Sequence, residues 1–242
     1  VGDSVGLDAE DPNLDMTVER TPAVLILDTS GSMTTESRTS AGERKSRIEQ
    51  VNEGLELFKR EVTSKENAAD RVDVALVEFG GGVDAADDWT TIRDWTPPTL
   101  SAGGKTPMGE GIKRAIDLAE EVKEYYRSEG IAYTRPSLWL LTDGQPTDMD
   151  PGDSTWEKVR GDLEMGVADD HFLFFAMGVG DADVETLDAL VEGTGKPALE
   201  IEEGTFEEYF RFVSNSLENV SSEDGEPDKV ANETDLSEFV KT

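Results

Sequence analysis

The run AVLILD, residues 23–28, is the stretch that decides the fold class. Its five consecutive apolar residues are typical of a central parallel strand that is buried on both faces of a sheet. Stretches with one apolar helical stripe separate it from similar runs, which are VDVALVEF (72–79), SLWLLTD (137–143) and FLFFAMGVG (172–180). This alternation predicts an α/β fold with a doubly wound, mostly parallel central sheet flanked by helices. The turn GGV after the second run predicts a hairpin into a further strand that ends near Ile92.

The composition limits the chemistry that this chain of 242 residues can carry. It has no cysteine and a single histidine, His171. This excludes disulfides, thiolate zinc sites, cysteine nucleophiles and poly-histidine metal sites. A metal ion would have to be held by oxygen, which is the chemistry of hard cations such as Mg²⁺, Mn²⁺ or Ca²⁺.

The charge is strongly negative, with 54 acidic against 22 basic residues and a formal net charge of -32. Such a chain repels nucleic acid and anionic membranes, so we expect neither as a partner. Because the acids are spread along the whole chain, we expect a salt-loaded cytoplasm, where high ionic strength screens their repulsion. The sequence has no run of about 18 apolar residues and no basic, apolar leader, which also favours the cytoplasm.

Composition also predicts the domain limits. Residues 1–20 are acidic and poor in apolar side chains, and we expect a flexible acidic N-terminal arm. Residues 21–220 carry the strand and helix pattern and form one domain. From residue 221 the chain turns polar again, which predicts a flexible acidic C-terminal tail over 221–242.

Two of the predicted strands end in an aspartate that opens a polar loop. In a doubly wound sheet such loops meet beyond the carboxyl ends of the strands, where ligands bind. DTSGSM presents Asp28, Ser30 and Ser32, and LLTDGQPTD presents Asp143. Two carboxylates brought together repel each other unless a cation lies between them. Taken alone, DTSGS fits an Asx-turn with a serine helix cap equally well, and Asp148 is expected to be a turn or cap residue.

The stretch SAGGKTPMGEGI (101–112) contains GGKT, which has the ending of a phosphate-binding P-loop. That motif needs a first glycine at the position of Thr99 and a buried strand before it. The preceding RDWTPPTL opposes a strand because prolines are excluded from central strands. The alternative role is positional: the glycines make a tight loop and Thr106 offers one hydroxyl, while Lys105 points to solvent or to an acidic neighbour.

The joint pattern of DTSGSM, TPMGEGI and LLTDGQPTD resembles the von Willebrand factor type A domain over roughly residues 20–220. The resemblance implies a central sheet with one antiparallel edge strand and a metal-ion-dependent adhesion site. The ligands that it implies are Asp28, Ser30, Ser32, Thr106 and Asp143. VNEGLELF, PSLWLLTDGQPTD and FLFFAMGVG are most similar to the TerY-type branch, which is associated with tellurite resistance. The segment at 34–46 is longer than expected for that branch.

The resemblance implies a binding module rather than an enzyme. Mg²⁺, or alternatively Mn²⁺ or Ca²⁺, would keep a coordination position open for a Glu or Asp of a partner protein. One alternative is an Mg²⁺-dependent phosphatase of the haloacid-dehalogenase type, which needs a second Asp where this chain has Ser30. A second alternative is a nucleotide-binding module through GGKT. The basic cluster of Arg44, Lys45 and Arg47 is expected to be the exposed start of a helix, with an anion-contacting patch as the alternative.

Overall fold

The predicted alternation of strands and helices is present in the computed structural model, which describes residues 6–7, 17–180 and 182–221. In chain order the elements are β1 (Thr21–Asp28), a 3-10 turn (Gly31–Thr34), β2 (Glu36–Arg38), β3 (Arg44–Ser46), α1 (Arg47–Thr63), α2 (Glu66–Arg71), β4 (Val72–Phe79), β5 (Val83–Thr91), α3 (Met108–Glu129), β6 (Ser137–Thr142), α4 (Ser154–Ala168), β7 (Leu173–Val179), α5 (Val184–Val191), β8 (Leu199–Ile201) and α6 (Phe206–Ser221).

The main sheet has six strands in the order β5-β4-β1-β6-β7-β8. Every neighbouring pair is parallel except β4 and β5, which are antiparallel. The predicted mostly parallel sheet with one antiparallel edge strand is therefore confirmed. Strand β1 lies between β4 and β6, which explains why all eight of its residues are buried. A strand in that position contacts helices on both faces and needs apolar side chains on each.

The helices cover the sheet in two layers. Alternate residues of β1 point to opposite faces, because side chains alternate along a strand. Leu25 and Leu27 pack with α1 and α6 in one apolar cluster. Val24 and Ile26 pack with α3, α4 and α5 in the other. This is the arrangement expected of a doubly wound sheet, and it leaves the carboxyl ends of the strands open at one edge.

Two short parts of the fold were not predicted from the sequence. The segment at 34–46 forms a hairpin in which β2 and β3 pair antiparallel, and the helix α2 precedes β4. The strands of this hairpin have only three residues each and no alternation of apolar side chains, so pattern reading has nothing to detect. The hairpin contacts the loop before α6, where Ser40 N donates to Gly204 O at 3.2 Å.

The described residues at both termini contact the domain. Leu7 is buried in the apolar cluster of α3, and Arg20 is buried in an ion pair with Asp73. At these two positions the expected flexible arm over 1–20 is packed, and residues 1–5 and 8–16 lie outside the described part. Helix α6 continues to Ser221, whose Oγ lies 3.1 Å from Thr21 Oγ1. The expected tail over 221–242 lies outside the described residues beyond that point, and the domain limits stay a prediction.

Candidate metal centre

Asp28 and Asp143 stand where two neighbouring parallel strands end. Asp28 is the last residue of β1, and Asp143 directly follows β6. Both side chains are buried. The strand ends are joined by Thr142, whose Oγ1 donates to Asp28 Oδ2 at 2.5 Å. The sheet topology thus brings together two carboxylates that are 115 positions apart in sequence, counted as 143 minus 28.

The loop DTSGS returns its serines toward these carboxylates. Ser30 N donates to Asp28 Oδ1 at 2.8 Å, so the Asx-turn that the sequence allowed is present. The Oγ atoms of Ser30 and Ser32 lie 2.9 Å apart, and Ser32 Oγ donates to Asp143 Oδ1 at 2.6 Å. Ser30 is buried and Ser32 is exposed. The turn therefore does not compete with the site: it brings Ser32 Oγ onto the second aspartate and leaves Ser30 Oγ next to Ser32 Oγ.

Thr106 reaches the same place from the loop before α3. A Cβ atom built on Gly144 would lie 3.7 Å from both Thr106 Oγ1 and Ser32 Oγ, so the two hydroxyls flank this glycine. Thr147 holds Thr106 in position: its Oγ1 accepts from Thr106 N at 3.1 Å, and its N donates to Thr106 O at 2.9 Å. All five residues chosen from the sequence therefore lie in one region at the carboxyl edge of the sheet.

The glycines of GGKT serve loop packing. Gly103 N donates to Thr29 O at 2.8 Å, and Gly31 N donates to Gly104 O at 3.1 Å. Gly104 has a φ of +78°, and a Cβ there would lie 2.3 Å from the Cα of Gly81. No side chain fits such a close approach of two backbones. Lys105 is exposed, and no strand or helix is present over 95–107, so the segment lacks the strand that a P-loop requires.

The electrostatics of the two carboxylates differ. Burial raises the pKa of Asp28; hydrogen bonds from Ser30 and Thr142 oppose this increase, and the nearby charge of Asp143 adds to it. Asp143 instead has a charged partner, since Arg47 Nη1 donates to its Oδ2 at 2.7 Å. Of the two carboxylates, Asp28 is the one whose ionised form is stabilised by uncharged hydrogen-bond donors.

Arg47 corrects an expectation from the sequence. The side chain is 2% exposed, so it is not part of an exposed helix start. Arg44 and Lys45 are the surface members of the basic cluster, at 68% and 27% exposure, and both pair with glutamates. The run of basic residues drew attention to this segment, but nothing in the pattern distinguishes the one residue that turns inward.

Asp148 has the capping role that the sequence predicted. Its Oδ1 accepts from Gly109 N at 3.2 Å and its Oδ2 from Glu110 N at 2.9 Å, at the first turn of α3. A carboxylate at a helix N-terminus satisfies free N–H groups and interacts favourably with the helix dipole. It therefore anchors the loop after β6 to α3, which keeps Thr106 and Asp143 close.

The donor set fits a hard divalent cation. Ser32 gives its hydrogen to Asp143, and the single hydrogen of Ser30 lies toward Ser32 or toward Asp28. Both serine oxygens consequently keep lone pairs that can face a cation. Across the described residues, no group of three or more aspartate, glutamate or histidine side chains is placed to hold a metal ion. The candidate centre therefore depends on its hydroxyl oxygens as well as on its two carboxylates.

Solved structures share this fold at low sequence identity. The pilus adhesin SpaC from Lactobacillus rhamnosus GG is 17% identical with a TM-score of 0.60, over 84% of this chain and 31% of the adhesin. The vWF domain of the type V pili tip protein Mfa5 from Porphyromonas gingivalis is 10% identical with a TM-score of 0.56, over 87% and 98%. The PilB minor pilin from Streptococcus sanguinis is 12% identical with a TM-score of 0.52, over 84% and 62%.

These identities support the fold alone. The chain spans about a third of the SpaC adhesin and less than two thirds of the PilB pilin. No curated protein matches the sequence significantly. In the described part of the chain, no helix combines the length and the apolar character needed to cross a membrane.

A family model identifies the chain more directly. The model of the von Willebrand factor type A domain matches residues 24–223. The match begins within β1 and extends to the end of α6, so it includes most of β1, the other five strands of the main sheet and the loops at its carboxyl edge. This protein belongs to the von Willebrand factor type A domain family.

Proposed function

We propose that this domain is a divalent-metal-dependent protein-binding module. Asp28, Ser30, Ser32, Thr106 and Asp143 would hold Mg²⁺, or alternatively Mn²⁺ or Ca²⁺, as a metal-ion-dependent adhesion site. A Glu or Asp of a partner protein would complete the shell of the cation. The observation that supports this most is the convergence of three hydroxyls and two carboxylates from three separate loops, with the serine lone pairs available.

The charge balance favours binding an acidic group. A cation at this place would supply a Lewis-acidic docking point for an anionic oxygen. Serine and threonine hydroxyls are neutral, and Arg47, which is shared with Glu203, partly neutralises one of the two carboxylates. The residues of the centre therefore leave positive charge on a bound divalent ion, which attracts a carboxylate from outside. Ser32 is exposed, so an outside group has access to this edge.

The enzymatic alternative lacks a key group. A phosphatase of the haloacid-dehalogenase type needs a general acid two residues after its nucleophile. Ser30 occupies that position, and its hydroxyl is engaged with Ser32. The nucleotide-binding alternative would rely on Lys105, which is exposed in a loop that packs against DTSGS rather than around a phosphate.

The cellular setting is also a proposal. The similarity to the TerY-type branch motivates a complex of the tellurite-resistance or stress type, and the evenly spread net charge of -32 motivates a high-salt cytoplasm. An affinity pull-down in molar salt, with Mg²⁺ and with a chelator, identifies a partner as one whose recovery depends on the cation. Unfolding at low salt and stability at molar salt would support the salt-loaded environment, and full stability in dilute buffer would contradict it.

Calorimetry tests the metal site directly. We expect the wild type to bind Mg²⁺ or Mn²⁺, and an Asp28→Ala, Asp143→Ala double variant to lose this binding. The matched control is an Asp117→Ala, Asp169→Ala double variant, which removes the same charge from exposed positions. Equal binding by the wild type and the Asp28, Asp143 double variant would refute the metal site. A partner whose recovery depends on the cation, but which binds both double variants as well as it binds the wild type, would refute the role of this centre in partner binding.

A further inference from the structure

Arg47, the first residue of α1, is a buried cation beside the candidate metal centre. Nη1 donates to Asp143 Oδ2 at 2.7 Å, while Nη2 and Nε donate to Glu203 Oε1 at 2.8 and 3.0 Å. The Asp143 side chain is fully buried, whereas 40% of the Glu203 side chain is exposed. Arg47 therefore joins a carboxylate of the centre to a carboxylate at the protein surface, in the loop before α6.

The start of α1 fixes the backbone of this arginine. Arg47 N donates to Thr35 O at 2.9 Å, which ties it to the segment that leads into the hairpin. Ser46 and Glu49 form a reciprocal capping box around the same turn. A capping box satisfies two free N–H groups at the helix start reciprocally, and so holds the first turn in place. The hairpin at 34–46 thus places Arg47, in the first turn of α1, beside the candidate metal centre.

The end of β7 is shaped to receive the guanidinium. Gly180 follows β7 with a φ of +65°, and a Cβ there would lie 2.2 Å from Arg47 Nη2. Any other residue at this position would therefore be strained and would also displace the arginine. The backbone bond to Thr35, the space left by Gly180 and two carboxylates together place this arginine, so its position does not depend on one ion pair alone.

We propose that Arg47 is a positioning residue that acts as an internal counter-ion for Asp143, in competition with the divalent cation. The inference rests on the proposed function, because it concerns the same centre. With no divalent ion bound, the guanidinium neutralises a carboxylate that would otherwise be buried with the negative charge of Asp28 nearby. With a divalent ion bound, two positive groups share Asp143 and repel each other, so Arg47 weakens cation binding.

A purely structural role for Arg47 predicts a different result. If the ion pair only stabilises the fold, neutralising Arg47 lowers the stability equally with and without a divalent ion and leaves the cation affinity unchanged. If Arg47 competes with the cation, the same change lowers stability mainly in chelator and tightens cation binding. The two roles are therefore separated by the affinity for the metal alone.

The experiment compares Arg47→Gln with Arg47→Lys in the full chain, in molar KCl, by Mn²⁺ calorimetry and by thermal unfolding in chelator and in Mn²⁺. We expect Arg47→Gln to bind Mn²⁺ about tenfold more tightly than the wild type, since a positive charge near the ion is lost. Its melting temperature should also rise more on adding Mn²⁺. Arg47→Lys loses the fork of N–H donors but keeps the positive charge, so its Mn²⁺ affinity should stay within about twofold of the wild type. Unchanged or weaker Mn²⁺ binding by Arg47→Gln would overturn the inference.

Glu203 provides a second test if Arg47→Gln does not fold. Glu203→Gln removes the surface carboxylate that shares the guanidinium, so Arg47 pairs more fully with Asp143. We expect Mn²⁺ binding to weaken by about threefold, and by less in the matched control Glu202→Gln, which removes the same charge one residue away on an exposed side chain. Equal affinities in the two variants would count against the inference.

The outcomes separate this inference from the proposed function. If neither the wild type nor Arg47→Gln binds Mn²⁺, both are overturned. If the wild type binds Mn²⁺ and Arg47→Gln binds it no more tightly, the metal centre stands and the counter-ion role is overturned alone.

Discussion

The amino and carboxyl ends of the sheet's strands each hold a cluster of buried carboxylates, and the two clusters differ in the groups that pair with the carboxylates. At the amino edge, Asp73 at the start of β4 accepts from Arg20 Nε at 2.9 Å, from Arg20 Nη2 and from Tyr126 Oη at 2.5 Å. All three side chains are almost fully buried. At the carboxyl edge, Asp28 and Asp143 lie beside serine hydroxyls that keep lone pairs, and one of these serines, Ser32, is exposed.

The difference shows how a structural cluster is distinguished from a candidate binding site. Burial raises the pKa of Asp73 and of Asp28 alike. Arg20 opposes this increase at Asp73 with a full positive charge, whereas Ser30 and Thr142 oppose it at Asp28 with neutral hydrogen bonds. A buried carboxylate that is held only by neutral donors, such as Asp28, gains more from an added cation than one that already has an arginine, such as Asp73. Asp143 lies between the two, because it shares Arg47 with Glu203. The following substitutions test this contrast.

The largest effect is expected from Asp73→Asn. The change leaves the buried guanidinium of Arg20 without its carboxylate, and breaking a buried pair in this way costs about 3–5 kcal/mol. We expect the free energy of unfolding, measured by urea denaturation in molar KCl, to fall by that amount. The loss should be the same in Mg²⁺ and in chelator. A loss that Mg²⁺ reverses would contradict the assignment of this cluster to the fold alone.

Gly104→Ala should have the next largest effect, at the loops of the carboxyl edge. The positive φ and the contact with the Gly81 backbone cannot both be kept, and we expect a loss of about 2 kcal/mol in the free energy of unfolding together with weaker cation binding. Gly103→Ala is the matched control, because a Cβ there meets nothing within 4 Å. Equal losses in the two variants would show that close packing of the loops is not the cause.

Asp28→Asn should separate stability from cation binding. Asparagine keeps the shape of the side chain and an oxygen that accepts from Ser30 N, so we expect the free energy of unfolding in chelator to change by less than about 1 kcal/mol. The increase in melting temperature on adding Mg²⁺ should disappear. If Asp28→Asn kept the wild-type increase in melting temperature on adding Mg²⁺, Asp28 would not be a ligand. The proposed contrast between Asp28 and Asp73 would then be wrong.

Lys105→Ala should have the smallest effect. The side chain is exposed, and substitutions of this kind change stability by about 0.5 kcal/mol or less. We expect unchanged Mg²⁺ binding and no binding of ATP by the wild type or the variant. ATP binding by the wild type that is lost in Lys105→Ala would revive the nucleotide-binding alternative.

The strands and four residues of the candidate centre could be predicted from local patterns in the sequence. AVLILD and SLWLLT are apolar on both faces, and Asp28 and Asp143 follow them directly, so their position at the carboxyl edge follows from the strand pattern. Ser30 and Ser32 follow Asp28 in a short turn. Thr106 needed the joint pattern of three loops, because nothing local to GGKT distinguishes a ligand from a phosphate loop.

By itself, the sequence determined the doubly wound sheet, its antiparallel edge and the loops that could carry ligands, since burial on two faces dictates local composition. Only the tertiary structure decided what surrounds the candidate ligands. Arg47 reaches Asp143 because a hairpin without an apolar pattern delivers it and Gly180 leaves room for it. Thr147 and Asp148 orient the threonine loop through contacts across about 40 residues of chain. Such contacts depend on distances between elements, and no periodicity along the chain encodes them.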